Sequence, residues 1–193
     1  MEGRADRTPH DVQSPVEDPA KLGGVVAPIA KTDSTVRLEG VVVTDLQLLQ
    51  DFVERARGES SGEAMQLLRA GLDLVEGPPF DGPMFEWAHT LQLHSTATTL
   101  VRETALNLVD LALDAGDFKL ARAAVAAGLR SARLSDELYQ ARMRVEAAAG
   151  NPAGVRDAYN ELVLLLDDLD GGYEPHEDTQ RLLAELVAKR LSA

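Results

Sequence analysis

Residues 114–162 read DAGDFKLARAAVAAGLRSARLSDELYQARMRVEAAAGNPAGVRDAYNEL, and the fold signal is strongest here. Gly116 and Gly150 stand 34 residues apart, each between two segments with helical apolar spacing. A period of that length is the mark of a stacked helix–turn–helix unit, because one such unit cannot bury its apolar face without a neighbour. Setting Gly116 at the turn puts Leu108 and Ala112 on a first helix, Phe118 just after the turn, and Ala121 and Val125 on a second helix. Gly150 does the same for Tyr139, Met143, Val155 and Tyr159.

The flanking sequence extends this pattern. Thr44 is placed to cap a helix whose face carries Leu46, Leu48, Leu49, Phe52, Val53 and Ala56, and Gly58 stops it. Ser60 or Ser61 caps the next, with Ala64, Leu67, Leu68, Leu72 and Val75 inward until Gly77-Pro78-Pro79 ends it. Its EAMQLLRAGL echoes LARAAVAAGL 57 residues on, matching Ala64, Leu68, Gly71 and Leu72 to Ala121, Val125, Gly128 and Leu129. GPPFDGPMF at 77–85 reads as a rigid crossing that Phe80 and Phe85 pin down, and the Gly- and Pro-free run 86–115 reads as the longest helix. Four more helices follow: Phe118–Ala132, Ser135 to Gly150, Pro152–Asp168 and His176–Leu191. The expected class is therefore all-α, about seven helices in stacked antiparallel, tetratricopeptide-like hairpins, over a domain spanning 35–193. Two departures from that repeat stand out, Arg133 and Asp167, which occupy the places of its helix-ending proline. The β-branched run TVRLEGVVVT at 35–44 predicts a short strand, or a hairpin turning at Glu39-Gly40, and residues 1–34 show no period and read as a disordered tail.

Composition narrows the function. The 193 residues carry a formal charge of −13, are 45% hydrophobic and only 4% aromatic, and include no cysteine. Disulfide scaffolds, thiolate metal sites and cysteine nucleophiles are thereby excluded. No apolar run reaches the roughly 18 residues of a membrane span, the N-terminus lacks a signal-peptide core, and a cytoplasmic location is expected. So acidic a chain repels phosphate backbones, so direct nucleic-acid binding by this segment is not expected.

Several stretches resemble one family, the bacterial transcriptional activator domain of actinobacterial antibiotic-pathway regulators and of relatives carrying LysM modules. VRLEGVVVTDLQLLQDFV resembles that family's N-terminal strand and Asp-led helix, with Asp45 and Phe52 in the matching places. LLRAGLDLVEGPPFDG, followed by Trp87, is similar to its leucine-rich helix and Gly-x-Pro-Phe passage. The repeat stretch is similar to its two central repeats, and Glu174 to Leu182 resembles its closing Glu-Pro-x-x-x-Thr-x-x-Leu element. The resemblance implies a regulatory, protein-binding module that normally follows a winged helix-turn-helix. Nothing in residues 1–34 has that pattern, so the expectation is a module without its own DNA-binding domain in this chain. The alternative expectation is a homodimerisation or structural scaffold domain of a LysM-type protein.

The residues offer no catalytic constellation and no cofactor site, and the expected activity is non-enzymatic. His89 and His94, five apart, should point about 140° from each other on a helix. Glu86 and His89 form only one of the two Glu-x-x-His motifs a di-iron bundle needs. The acidic run from Asp167 to Asp178 lacks the alternate ligand positions of a calcium loop. Arg122, Arg130, Arg133, Arg142, Arg144 and Arg156 form the basic concentration of the chain, read as a solvated face laced with ion pairs. If the first helices of the repeats line a groove, Glu103, Asp110 and Asp114 face it from one repeat and Glu137, Gln140 and Arg144 from the next. Such a groove favours a basic segment of a protein partner, whether peptide, transcription machinery or second copy, with Trp87 as a candidate interface anchor.

Overall fold

The computed structural model describes residues 29–32, 35–38, 43–82, 85, 88–89, 91–169 and 171–191. Its elements are β1 (Ile29–Thr32), β2 (Thr35–Leu38), α1 (Asp45–Ala56), α2 (Ser61–Leu72), α3 (Leu93–Asp114), α4 (Phe118–Ser131), α5 (Asp136–Ala148), α6 (Pro152–Asp167) and α7 (Glu177–Leu191). They fall into two compact units, Met1–Asp45 and Leu46–Ala193.

In the first unit β1 and β2 pair antiparallel, with Ile29 opposite Leu38 and Thr32 opposite Thr35. β2 falls within the run read as one short strand or a hairpin. The partner of the strand beginning at Thr35 lies before it, in a stretch read from sequence as tail, while the turn expected at Glu39-Gly40 lies outside the described residues.

The second unit is an all-α helical repeat. Its hairpins form because each turn is locally encoded. Gly116 and Gly150 adopt φ of 71° and 70°, a left-handed conformation that glycine reaches without a Cβ penalty. The hydrogen bonds around them repeat residue for residue. Asp117 N–H donates to the Ala112 carbonyl at 2.8 Å, and Asn151 N–H to the Glu146 carbonyl at 2.8 Å, which closes the end of the preceding helix in both repeats. The same two side chains then cap the next helix: Asp117 Oδ1 accepts from Leu120 N–H at 2.9 Å, and Asn151 Oδ1 from Gly154 N–H at 3.1 Å. Pro152 follows at the first helical position, where a missing N–H costs nothing.

Packing joins the hairpins into a stack. α3 lies on α4, α4 on α5 and α5 on α6, while α7 covers α5 and α6 at the far end. The main core is formed by Ala105, Leu108, Val109 and Ala112 of α3 against Ala121, Ala124 and Val125 of α4 and Leu138, Ala141 and Val145 of α5. Alanines recur at these contacts, and their small side chains let the helices approach closely. Gly71 and Gly128, equivalent in the internal echo, mark close approaches between helices. A Cβ on Gly71 would fall 2.8 Å from Leu49 Cδ1, and one on Gly128 would fall 2.8 Å from Leu138 Cδ2 and 2.9 Å from Ala105 Cβ. At the far end Met143, Val155 and Ala158 pack with Leu182, Leu183 and Leu186.

The longest helix starts later than its Gly- and Pro-free run suggested. Gln92 takes a left-handed conformation, φ 58°, so α3 begins at Leu93, and Leu91 ahead of it is 63% exposed. Phe80 and Phe85 do meet edge to face, at 6.1 Å between ring centroids, across the proline-rich crossing. The break at Gln92 also corrects the histidine geometry. His89 and His94 do not diverge; their rings stack with centroids 4.7 Å apart.

Candidate partner-binding surface

One face of α3 carries Thr96, Thr99, Glu103, Asn107, Asp110 and Asp114, spaced three or four residues apart and so aligned along the helix. Its middle section borders a cleft of about 340 Å³ whose other walls are α1 and α2. Val53, Leu68, Leu100 and Leu111 form the apolar floor, and Glu103, Asn107 and Asp110 form a polar edge. Thr104 lies beneath, 1% exposed, its hydroxyl donating to the Leu100 carbonyl at 2.7 Å, so the floor is closed without an unmet polar group at that point. Arg57 reaches the opposite edge, where Glu54 holds its guanidinium at 2.6 Å. The net local charge is negative.

The six residues assigned to a groove from sequence therefore take different positions. Glu103 and Asp110 share the cleft, and Asp114 is exposed one turn further along the same face. Glu137 of α5 is joined to α3 by an ion pair with Arg102 at 3.2 Å. Gln140 is used inside the fold: its amide donates to Thr179 Oγ1 at 2.9 Å, and that hydroxyl donates to Asp136 Oδ1 at 2.6 Å. Thr179 is completely buried, and Asp136 also accepts from His176 N–H at 3.0 Å, so this network seats α7 on α5. Arg144 is exposed on α5. Trp87 lies outside the described residues. Sequence reasoning missed Asn107 and the apolar floor; continuing the three-and-four spacing from Glu103 would have found the first, but the floor requires knowing that α1 and α2 lie against α3.

A second polar centre lies where α4, α5 and α6 meet. Arg122 donates two hydrogen bonds to Glu146, Nε to Oε1 at 2.7 Å and Nη2 to Oε2 at 2.9 Å. Asn151 Nδ2 adds a third at 2.8 Å. These bonds, the Arg122 pair foremost, hold the Glu146 carboxyl below the usual carboxylate range although burial opposes it, and the Arg122 guanidinium is correspondingly held above its ordinary value. Tyr139, 1% exposed, donates to Glu161 Oε1 at 3.2 Å; burial first and the nearby carboxylate second push its hydroxyl up to about 12. Among the described residues no three metal-ligating side chains cluster, and no helix is long and apolar enough to cross a membrane.

Neither curated proteins nor solved structures yield a match to the chain. The model of one family, described as the bacterial transcriptional activator domain, matches residues 44–187, a span that runs from the residue before α1 into α7. With most of its length matched in this way, the chain belongs to the bacterial transcriptional activator domain family.

Proposed function

We propose that this regulatory domain acts by binding a protein partner, and that the cleft between α3 and the α1–α2 hairpin receives a basic, partly apolar segment of it. The observation that carries the reading is the juxtaposition of Glu103 and Asp110 above an apolar floor. A cationic side chain pairs with the acidic edge while its neighbours cover Val53, Leu68 and Leu100. The domain itself has no catalytic role in this reading, works in the cytoplasm beside the transcription machinery, and leaves DNA contact to another module.

The test is site-specific photo-crosslinking from Asn107 in source cells. Adducts to an RNA polymerase subunit or a second regulator are expected, and Glu103→Lys with Asp110→Lys should abolish them while the circular dichroism spectrum stays unchanged. Equal adducts in the charge-reversed protein would refute the cleft as the docking site. A second reading, self-association, is favoured by Leu164 at 69% and Tyr173 at 60% exposure. Sedimentation equilibrium decides it: a dimer that dissociates in Leu164→Glu supports it, and a monomer at all concentrations removes it.

A further inference from the structure

Four of the six arginines read from sequence as a dispersed solvated face converge on one cavity. Arg122, Arg130 and Arg133 come from α4 and its C-terminal end, Arg142 from α5, and the cavity they surround measures about 560 Å³. That lies within the range of small-molecule sites, about 300–1,000 Å³. Its floor is apolar, formed by Val125, Leu129 and Val145.

The charges are not evenly compensated. Arg122 is neutralised by Glu146, and Arg142 by Glu161 at 2.7 Å. Both carboxylates that line the cavity are thus already paired with cations and carry hydrogen bonds from Asn151 and Tyr139. Arg130 has a different partner, the uncharged carbonyl of Val75 at 2.9 Å, and Arg133 is exposed with no carboxylate partner among the described residues. Two uncompensated guanidinium groups therefore flank an apolar floor, on a chain whose formal charge is −13.

We propose that this cavity binds a small amphipathic anion, with a carboxylate or phosphate head between Arg130 and Arg133 and an apolar body on Leu129, Val125 and Val145. Guanidinium groups suit such a head because their planar donors match its oxygens two at a time. An extended acidic chain fits less well, since Glu146 and Glu161 also line the cavity and would repel further negative charge. The site is distinct from the α3 cleft and does not depend on the partner-binding reading.

The test uses the full chain and 8-anilinonaphthalene-1-sulfonate, whose fluorescence rises when its apolar rings leave water. One saturable site is expected, with displacement by octanoate or octyl phosphate; whichever competes at lower concentration identifies the head group. Octyl glucoside, which has the same body and no charge, should not displace the probe. Ala126→Glu places a carboxylate on an exposed residue of the cavity wall and should weaken binding about tenfold. Arg133→Gln should weaken it several-fold, and Lys119→Gln, an equal loss of charge outside the cavity, should leave it within about twofold. Thermal melts of each variant confirm that the fold persists. Absence of saturable binding, displacement by octyl glucoside equal to that by the anions, or unchanged affinity in Ala126→Glu would each overturn the proposal.

Discussion

Replacing Gly128 by alanine tests whether close helix approach, and not helix propensity, governs the α3–α4–α5 junction. In an unobstructed helix interior this change stabilises by about 1 kcal/mol, because glycine loses more backbone entropy on folding. At Gly128 the new methyl meets Ala105 Cβ at 2.9 Å and the two Leu138 methyls at 2.8 and 3.0 Å, all well inside the 3.5–4.0 Å optimum for carbon contacts. Ala105 and Leu138 are both 0% exposed, and Ala105 Cβ is fixed to its helix, so the strain can be relieved only by moving α4 away from α3. Overpacking costs about 1–3 kcal/mol, and an obstructing Cβ that cannot rotate away puts this site in the upper part of that range, about 2–3, which leaves a net loss of roughly 1–2 kcal/mol after the propensity gain. For a domain of this size that lowers Tm by about 2–8 °C. Gly71→Ala is the matched comparison. Its closest contact is the terminal methyl of Leu49 at 2.8 Å, which can rotate, and its next is Phe52 Cβ at an ordinary 3.4 Å, so the two effects should nearly cancel. Urea titrations followed by helical circular dichroism measure both. A Gly128→Ala protein as stable as wild type, or a Gly71→Ala protein losing as much as Gly128→Ala, would refute the argument.

Other expectations follow from the same contacts. Glu146 is held below its usual range by Arg122, so its stabilising contribution is complete above the ordinary carboxylate value of 4.5 and is lost as pH falls through the lower folded value; the stability gap between wild type and Glu146→Gln should therefore be widest near neutrality and close in acid, as measured by urea midpoints across pH. Asp117→Ala removes a side-chain cap on α4 and should cost about 1 kcal/mol, whereas Ser60→Ala should cost less, since the Ser60 hydroxyl donates to Glu63 at 2.6 Å and caps no backbone N–H. Leu108→Ala, at 1% exposure in the main core, should lose about 2–5 kcal/mol in the same titration. Thr179→Val breaks the contacts to Asp136 and Gln140 while keeping volume, and hydrogen exchange should then rise in α7 before it rises in α4.

Much of the fold is legible in the chain because its signals are local. A glycine needing a left-handed turn, an Asp, Ser or Asn one residue before a helix, and an apolar stripe every three or four residues are each satisfied within a turn or two of backbone. That is why the ends of α4, α5 and α6 fall close to where the sequence placed them, and why the echo between Gly71 and Gly128 marks a real equivalence in packing. The start of α3 was not legible. Residues 86–115 contain no local stop signal, and the helix nevertheless breaks at Gln92, a residue with no intrinsic preference for its φ of 58°. The consequence, His89 stacked on His94, is invisible to any helical projection.

The candidate sites divide in the same way. Glu103, Asp110 and Asp114 share a face because they share a helix, and helical spacing alone places them there. Gln140 obeys the same spacing rule, yet the docking of α7 takes it into a buried network with Thr179, 39 residues away. Arg122 and Glu146 are 24 residues apart, and Arg130 reaches Val75 across 55. Periodicity reports which side of a helix a residue occupies; which neighbour then covers that side depends on how the helices pack. The chain therefore carried its helices, turns and acidic α3 face in local chemistry, while the cleft beside α3, the α7 anchor and the arginine cavity exist only because packing brought distant residues together.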